Sequence, residues 1–110
     1  MAGLVEAYKT AFITQRLNLS TEEAQKFWPI YNAYSAEVRQ ASNTYHQNGN
    51  ELEWDEARLN IKKKYSVEFL KAISPGKIND FFKAEKDFEV IIRREMQRRQ
   101  MQRRGFPGGQ

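Results

Sequence analysis

Apolar residues in this chain recur at helical spacing from near its start to residue 92, and nowhere do they alternate as a half-buried strand requires. The clearest stripe is Ala24, Phe27, Tyr31, Tyr34, Val38, Ala41 and Tyr45, whose steps alternate three and four as in a heptad seam. A second stripe runs Trp54, Ala57, Ile61, Tyr65, Phe69 and Ala72. A third runs Ile78, Phe81, Glu85, Phe88 and Ile92, flanked by Phe82 and Ile91. Ahead of all three, Val5, Tyr8 and Phe12 mark one side of a helix over about residues 4–17. The pattern predicts an all-α fold of four helices, the C-terminal one long.

Helix starts are legible as capping chemistry. Leu19-Ser20-Thr21-Glu22-Glu23 places a Ser where its hydroxyl can accept from a first-turn N–H, with Glu23 able to reach back to the cap N–H. Ile73-Ser74-Pro75-Gly76-Lys77 begins the same way 54 residues later, with Pro at the first helical position, where it needs no N–H. Aligning the two pairs Phe81 with Phe27 and Phe88 with Tyr34, so the chain reads as a repeated helical hairpin. Asn50 and Glu53 offer a cap for the helix between, after a turn over residues 46–50 in which Gly49 supplies the permissive backbone. Pro29 lies inside the longest stripe, which continues in phase beyond it, so a kink near Trp28 is expected and not a stop.

Length bounds this reading to one modest core, expected as a single helical domain over residues 1–104 with a disordered tail from 105 to 110. No apolar run is long enough to cross a bilayer. The first 15 residues carry Glu6 and Lys9 inside their apolar pattern and so do not form a signal peptide. Two placements stay open: a cytoplasmic protein, or one whose targeting segment precedes this sequence. With no Cys and one His, His46, the chain offers neither disulfides nor a converging set of metal ligands. Met96 and Met101 do not complete one.

Charge changes the picture at one place only. Residues 1–92 carry 12 Lys and Arg against 13 Asp and Glu, whereas residues 93–104 carry six Arg against Glu95 alone. Arg93, Arg94, Arg98, Arg99, Arg103 and Arg104 come in pairs every five residues, which turns each pair about 140° from the last and spreads the guanidiniums around the helix. A major-groove reader would keep such side chains on one side. The segment reads either as a solvated helix end or as a diffuse attractor of anions and acidic protein.

Glu85 interrupts an apolar stripe and needs a cationic partner, for which Arg16 or a Lys of a neighbouring helix is available. Phe27 and Trp28 are adjacent and cannot both enter one seam, so one of them is a candidate for exposed apolar surface. Asn18-Leu19-Ser20 matches a glycosylation sequon, but Ser20 is committed to the cap. No nucleophile–base set, phosphate-binding glycine loop or paired-carboxylate cleft is present, so the expectation is a protein that is not an enzyme and uses no cofactor.

The run Leu17-Asn18-Leu19-Ser20-Thr21-Glu22-Glu23-Ala24-Gln25-Lys26-Phe27-Trp28-Pro29-Ile30-Tyr31 resembles the signature region of the Spy/CpxP-like proteins. These are small helical periplasmic proteins of Gram-negative bacteria with a twice-occurring LTxxQ motif. It is especially similar to the branch labelled as sensors of extracytoplasmic-function sigma factors. The second copy is Ile73-Ser74-Pro75-Gly76-Lys77, followed by Lys83-Ala84-Glu85-Lys86, and the resemblance spans roughly residues 8–96. Two departures stand out. Lys77 cannot accept the reciprocal hydrogen bond of a capping box, and the His ligands of metal-sensing relatives are missing. The resemblance implies a periplasmic homodimer that binds unfolded or partner protein without ATP, as chaperone or envelope-stress sensor. Contacts are expected at Phe27, Trp28, Tyr31 and the six arginines. The rival readings are a signalling adaptor docking an acidic partner and a nucleic-acid-associated protein, nucleic acid being the less expected partner.

Overall fold

In the computed structural model, which describes residues 2–105, four helices follow one another: α1 (Ala2–Leu17), α2 (Thr21–Ala41), α3 (Glu51–Phe69) and α4 (Pro75–Gly105). No strand occurs among the described residues, so the fold is all-α as the periodicity predicts. The last helix takes in Gly105; residues 106–110, expected as a disordered tail, lie outside the described residues. The chain divides into two compact units, Met1–Leu17 with Asn79–Gln110, and Asn18–Ile78.

In the second unit α2 and α3 pack through aromatic rings. Phe27 and Phe69 stack at 5.2 Å between centroids, and Tyr34 meets Tyr65 edge-on at 5.7 Å. These side chains are the stripes expected from the sequence, with Ile73 and Ile78 also buried. The capping box forms: Glu23 N–H donates to Ser20 Oγ at 3.1 Å and Ser20 N–H donates to the Glu23 carboxylate at 2.9 Å. Such a cap is worth about 1 kcal/mol. α2 runs unbroken through Pro29, which is exposed, and the stripe continues past it without a stop as expected.

The second cap is the half-box its sequence allows. Lys77 N–H donates to Ser74 Oγ at 3.3 Å. The Lys77 ammonium is used elsewhere: Nζ donates to Glu23 at 2.8 Å and to the Asn18 carbonyl at 3.2 Å. The residue that breaks the second box thus ties the start of the second motif to the carboxylate that completes the first. The Lys77 bond, the largest cause, and the Ser20 backbone bond hold the Glu23 carboxyl below its ordinary value.

Two local expectations are corrected. Asn50 does not cap α3 with its side chain, its ψ of 71° departing from the extended backbone an N-cap uses, and its own N–H donates to the Tyr45 carbonyl at 2.9 Å. α2 continues into a π-helical turn, Ser42–His46, closed by the Gln47 N–H on the Ser42 carbonyl at 3.1 Å, before the reversal at Gly49 (φ 80°). The cause is local polarity. Ser42, Asn43 and Thr44 offer side-chain competitors to the α ladder, and Thr44 Oγ1 bonds the Gln40 carbonyl at 3.0 Å.

In the first unit the expected inner stripe of α1 is also corrected. The buried residues of α1 are Ile13 and Leu17, whereas Tyr8 is 70% exposed. α1 ends where Asn18 takes a left-handed conformation (φ 51°), one that Asn tolerates better than other non-glycine residues. On α4 the stripe Phe81, Glu85 and Phe88 is buried as expected, joined by Ala84.

Candidate functional site

The outer face of α1 and the middle of α4 enclose an apolar groove of about 520 Å3. Its floor is the contact of Phe12 with Phe88, ring centroids 5.5 Å apart. Leu4, Val5 and Tyr8 form one wall by the i, i+3, i+4 spacing of a helix face, and Ile91, Ile92 and Met96 form the other. Val5, Tyr8 and Phe12 were the positions that periodicity singled out. The periodicity is real, but it marks a face turned to this groove and not to a closed core. A thioether and several aliphatic groups give walls that adapt to different side chains.

Glu95 and Arg99 line the polar end of the groove. Arg98 grips the Glu95 carboxylate through two nitrogens, at 2.6 and 3.2 Å, and Arg99 Nε adds a bond at 2.9 Å. The bond from Arg98, then that from Arg99, holds the Glu95 carboxyl below its ordinary 4.5, and Glu95 in turn raises Arg98. Two of the six guanidiniums, those of Arg98 and Arg99, thus share one carboxylate. Arg93 and Arg94 are exposed on the same helix. The side chains of Arg103 and Arg104 lie outside the described ones.

The aromatic candidates of the second unit divide sharply. Phe27 is 0% exposed and Tyr31 3%, so both are core side chains and present no contact surface. Trp28 is half-buried, its ring edge-on to Phe27 at 4.8 Å and to Tyr31 at 5.2 Å. Of the three, Trp28 alone keeps an accessible face. His46 bonds Glu51 at 2.9 Å and stacks on Trp54 at 5.4 Å. No group of three or more metal-ligating side chains occurs among the described residues, and no helix of the described chain is long and apolar enough to cross a membrane.

A shared carboxylate, Glu37, joins α2 to α3 in the second unit. Tyr65 donates its hydroxyl to Glu37, and Lys64 Nζ reaches the same carboxylate at 2.9 Å. The bond to Glu37, then burial, pushes the Tyr65 hydroxyl from 10.0 up to about 12. The Tyr65 bond, then Lys64, lowers the Glu37 carboxyl below 4.5. A raised Tyr contributes stability that is whole below pH 10.0 and is lost as pH climbs through about 12. A lowered Glu contributes stability that is whole above 4.5 and is lost as acid titrates the carboxylate. In a tyrosinate absorbance titration a component ionising near 12 is expected, and Glu37→Gln should bring it down. A titration that Glu37→Gln leaves unchanged would show that this pair does not form in solution.

No family model, curated protein or solved structure matches the chain.

Proposed function

We propose that this chain is a non-enzymatic, ATP-independent protein-binding protein, working in the periplasm as a homodimeric chaperone or envelope-stress sensor of Spy/CpxP type. The observation that carries the reading is the open apolar groove between α1 and α4, with arginines along α4 beside it. Apolar segments of an unfolded client gain ~25 cal/mol for each Å2 they bury in such a groove. The cationic end adds long-range capture of acidic stretches, a rate effect that salt weakens. Binding therefore moves from Phe27 and Tyr31, which the core uses, to Tyr8, Ile91 and Met96. The half-buried ring of Trp28 remains an accessory surface.

The test is suppression of light scattering by a chemically denatured client, without nucleotide, for the wild type, Ile91→Asp and Trp28→Ala. Ile91 is 46% exposed, so the substitution leaves the fold intact while placing a charge in the groove. The wild type should suppress aggregation and Ile91→Asp should lose most of that effect, with Trp28→Ala intermediate. Absence of suppression by the wild type would sink the chaperone reading. The exposed Arg93 and Arg94 favour one rival, docking of a single acidic partner, whose signature is saturable binding that fades as salt rises.

A further inference from the structure

α3 is apolar on two opposite sides. At 100° per residue, Trp54, Ile61, Tyr65 and Phe69 fall together, and Leu52, Leu59, Val67 and Leu70 fall together about half a turn away. Trp54, Tyr65 and Phe69 are buried, the last two against α2. The outer four are between 52 and 78% exposed. One neighbouring helix covers one side only, so the outer stripe stays in water, where its apolar area is unfavourable.

Two charges punctuate that outer stripe, Glu56 and Lys63, on either side of Leu59. Their midpoint falls between residues 59 and 60, and the midpoint of Leu52 and Val67 falls at the same place. Read in order the stripe runs Leu52, Glu56, Leu59, Lys63, Val67, which is its own complement when reversed.

We propose that this stripe is a two-fold interface on which a second copy of the chain lays its α3 antiparallel. Leu59 then lies beside the axis, Leu52 of one copy meets Val67 of the other, and Glu56 of one meets Lys63 of the other, each pair occurring twice. A parallel pairing in register sets Glu56 against Glu56 and Lys63 against Lys63, so the charges choose the antiparallel arrangement. The proposal deepens the dimeric part of the function proposed above. It is tested without any client, so its failure leaves the groove reading untouched.

Sedimentation equilibrium of the full chain provides the test. The wild type should pass from 13.0 kDa to twice that mass as concentration rises. At low salt, Glu56→Lys and Lys63→Glu should each weaken self-association by about tenfold or more, because two attractive pairs become repulsive. Mixing the two variants should restore association, since every facing pair is then again of opposite charge. Leu59→Asp should abolish it at any salt, with helical circular dichroism unchanged because Leu59 is exposed. A wild type that stays monomeric overturns the proposal. So does a dimer that the charge reversals leave unweakened, which would have its interface on another face.

Discussion

Truncating Phe27 to alanine is expected to cost about 3–5 kcal/mol, the range for removing a fully buried phenylalanine from a core that cannot collapse around the cavity. Phe27 is 0% exposed and stacks on Phe69, also 0% exposed, so the cavity opens where α2 and α3 are locked together. Collapse is resisted because Trp28, Tyr31 and Tyr34 are rigid rings already set against one another at 5.2 and 6.3 Å. Against total stabilities of roughly 5–15 kcal/mol, such a loss leaves the second unit largely unfolded near 37 °C. Urea unfolding reads it as a lower midpoint with an unchanged slope. Trp28→Ala, removing a half-buried ring, should cost clearly less. The contrast decides what the aromatic cluster is for. A contact role for Phe27 would have Phe27→Ala lose client binding at nearly full stability, and the packing observed gives the opposite order.

The features legible in the sequence were those set within one helix. The four-helix layout, the Ser20–Glu23 box and the stripes of α2 and α3 all follow from residues a turn or two apart, where periodicity and capping act. What escaped was the identity of the partner across space. Val5, Tyr8 and Phe12 have the spacing of a core face, and nothing local says that α4 meets them across an open groove. Lys77 looks like a defect of the second box until its ammonium is seen on Glu23, 54 residues earlier. The second apolar side of α3 was hidden by the first, because two opposite stripes cancel the one-sided pattern that a search for amphipathic helices rewards. The π-helical turn left a weaker trace, the polar run Ser42, Asn43, Thr44 in a stripe that otherwise continues to Tyr45. The five-residue spacing of the arginine pairs shows how they distribute around the helix, but nothing in it says that Glu95, between two of the pairs, gathers Arg98 and Arg99.

Lys9→Met is expected to destabilise the unit formed by α1 and α4 by about 2–3 kcal/mol. The reason is Glu85, the carboxylate in the apolar stripe of α4. Its side chain is 11% exposed and lies 3.3 Å from Lys9 Nζ, while Arg16, the other candidate cation, is paired instead with Asp87 at 2.7 Å. Removing Lys9 takes an ammonium from 3.3 Å beside a largely buried carboxylate, and losing that contact costs more than losing a surface ion pair. The reverse deletion is milder. In Glu85→Leu the lysine, 21% exposed, can swing its ammonium into water along its flexible stem, and the new leucine extends the run of Phe81, Ala84 and Phe88. The double variant Lys9→Met/Glu85→Leu should therefore recover the loss, ending within about 1 kcal/mol of the wild type or above it. Thermal unfolding of the four proteins completes the cycle. Equal small losses from both single variants, adding in the double, would show that the pair is solvated like a surface bridge and that Glu85 interrupts its stripe at no cost.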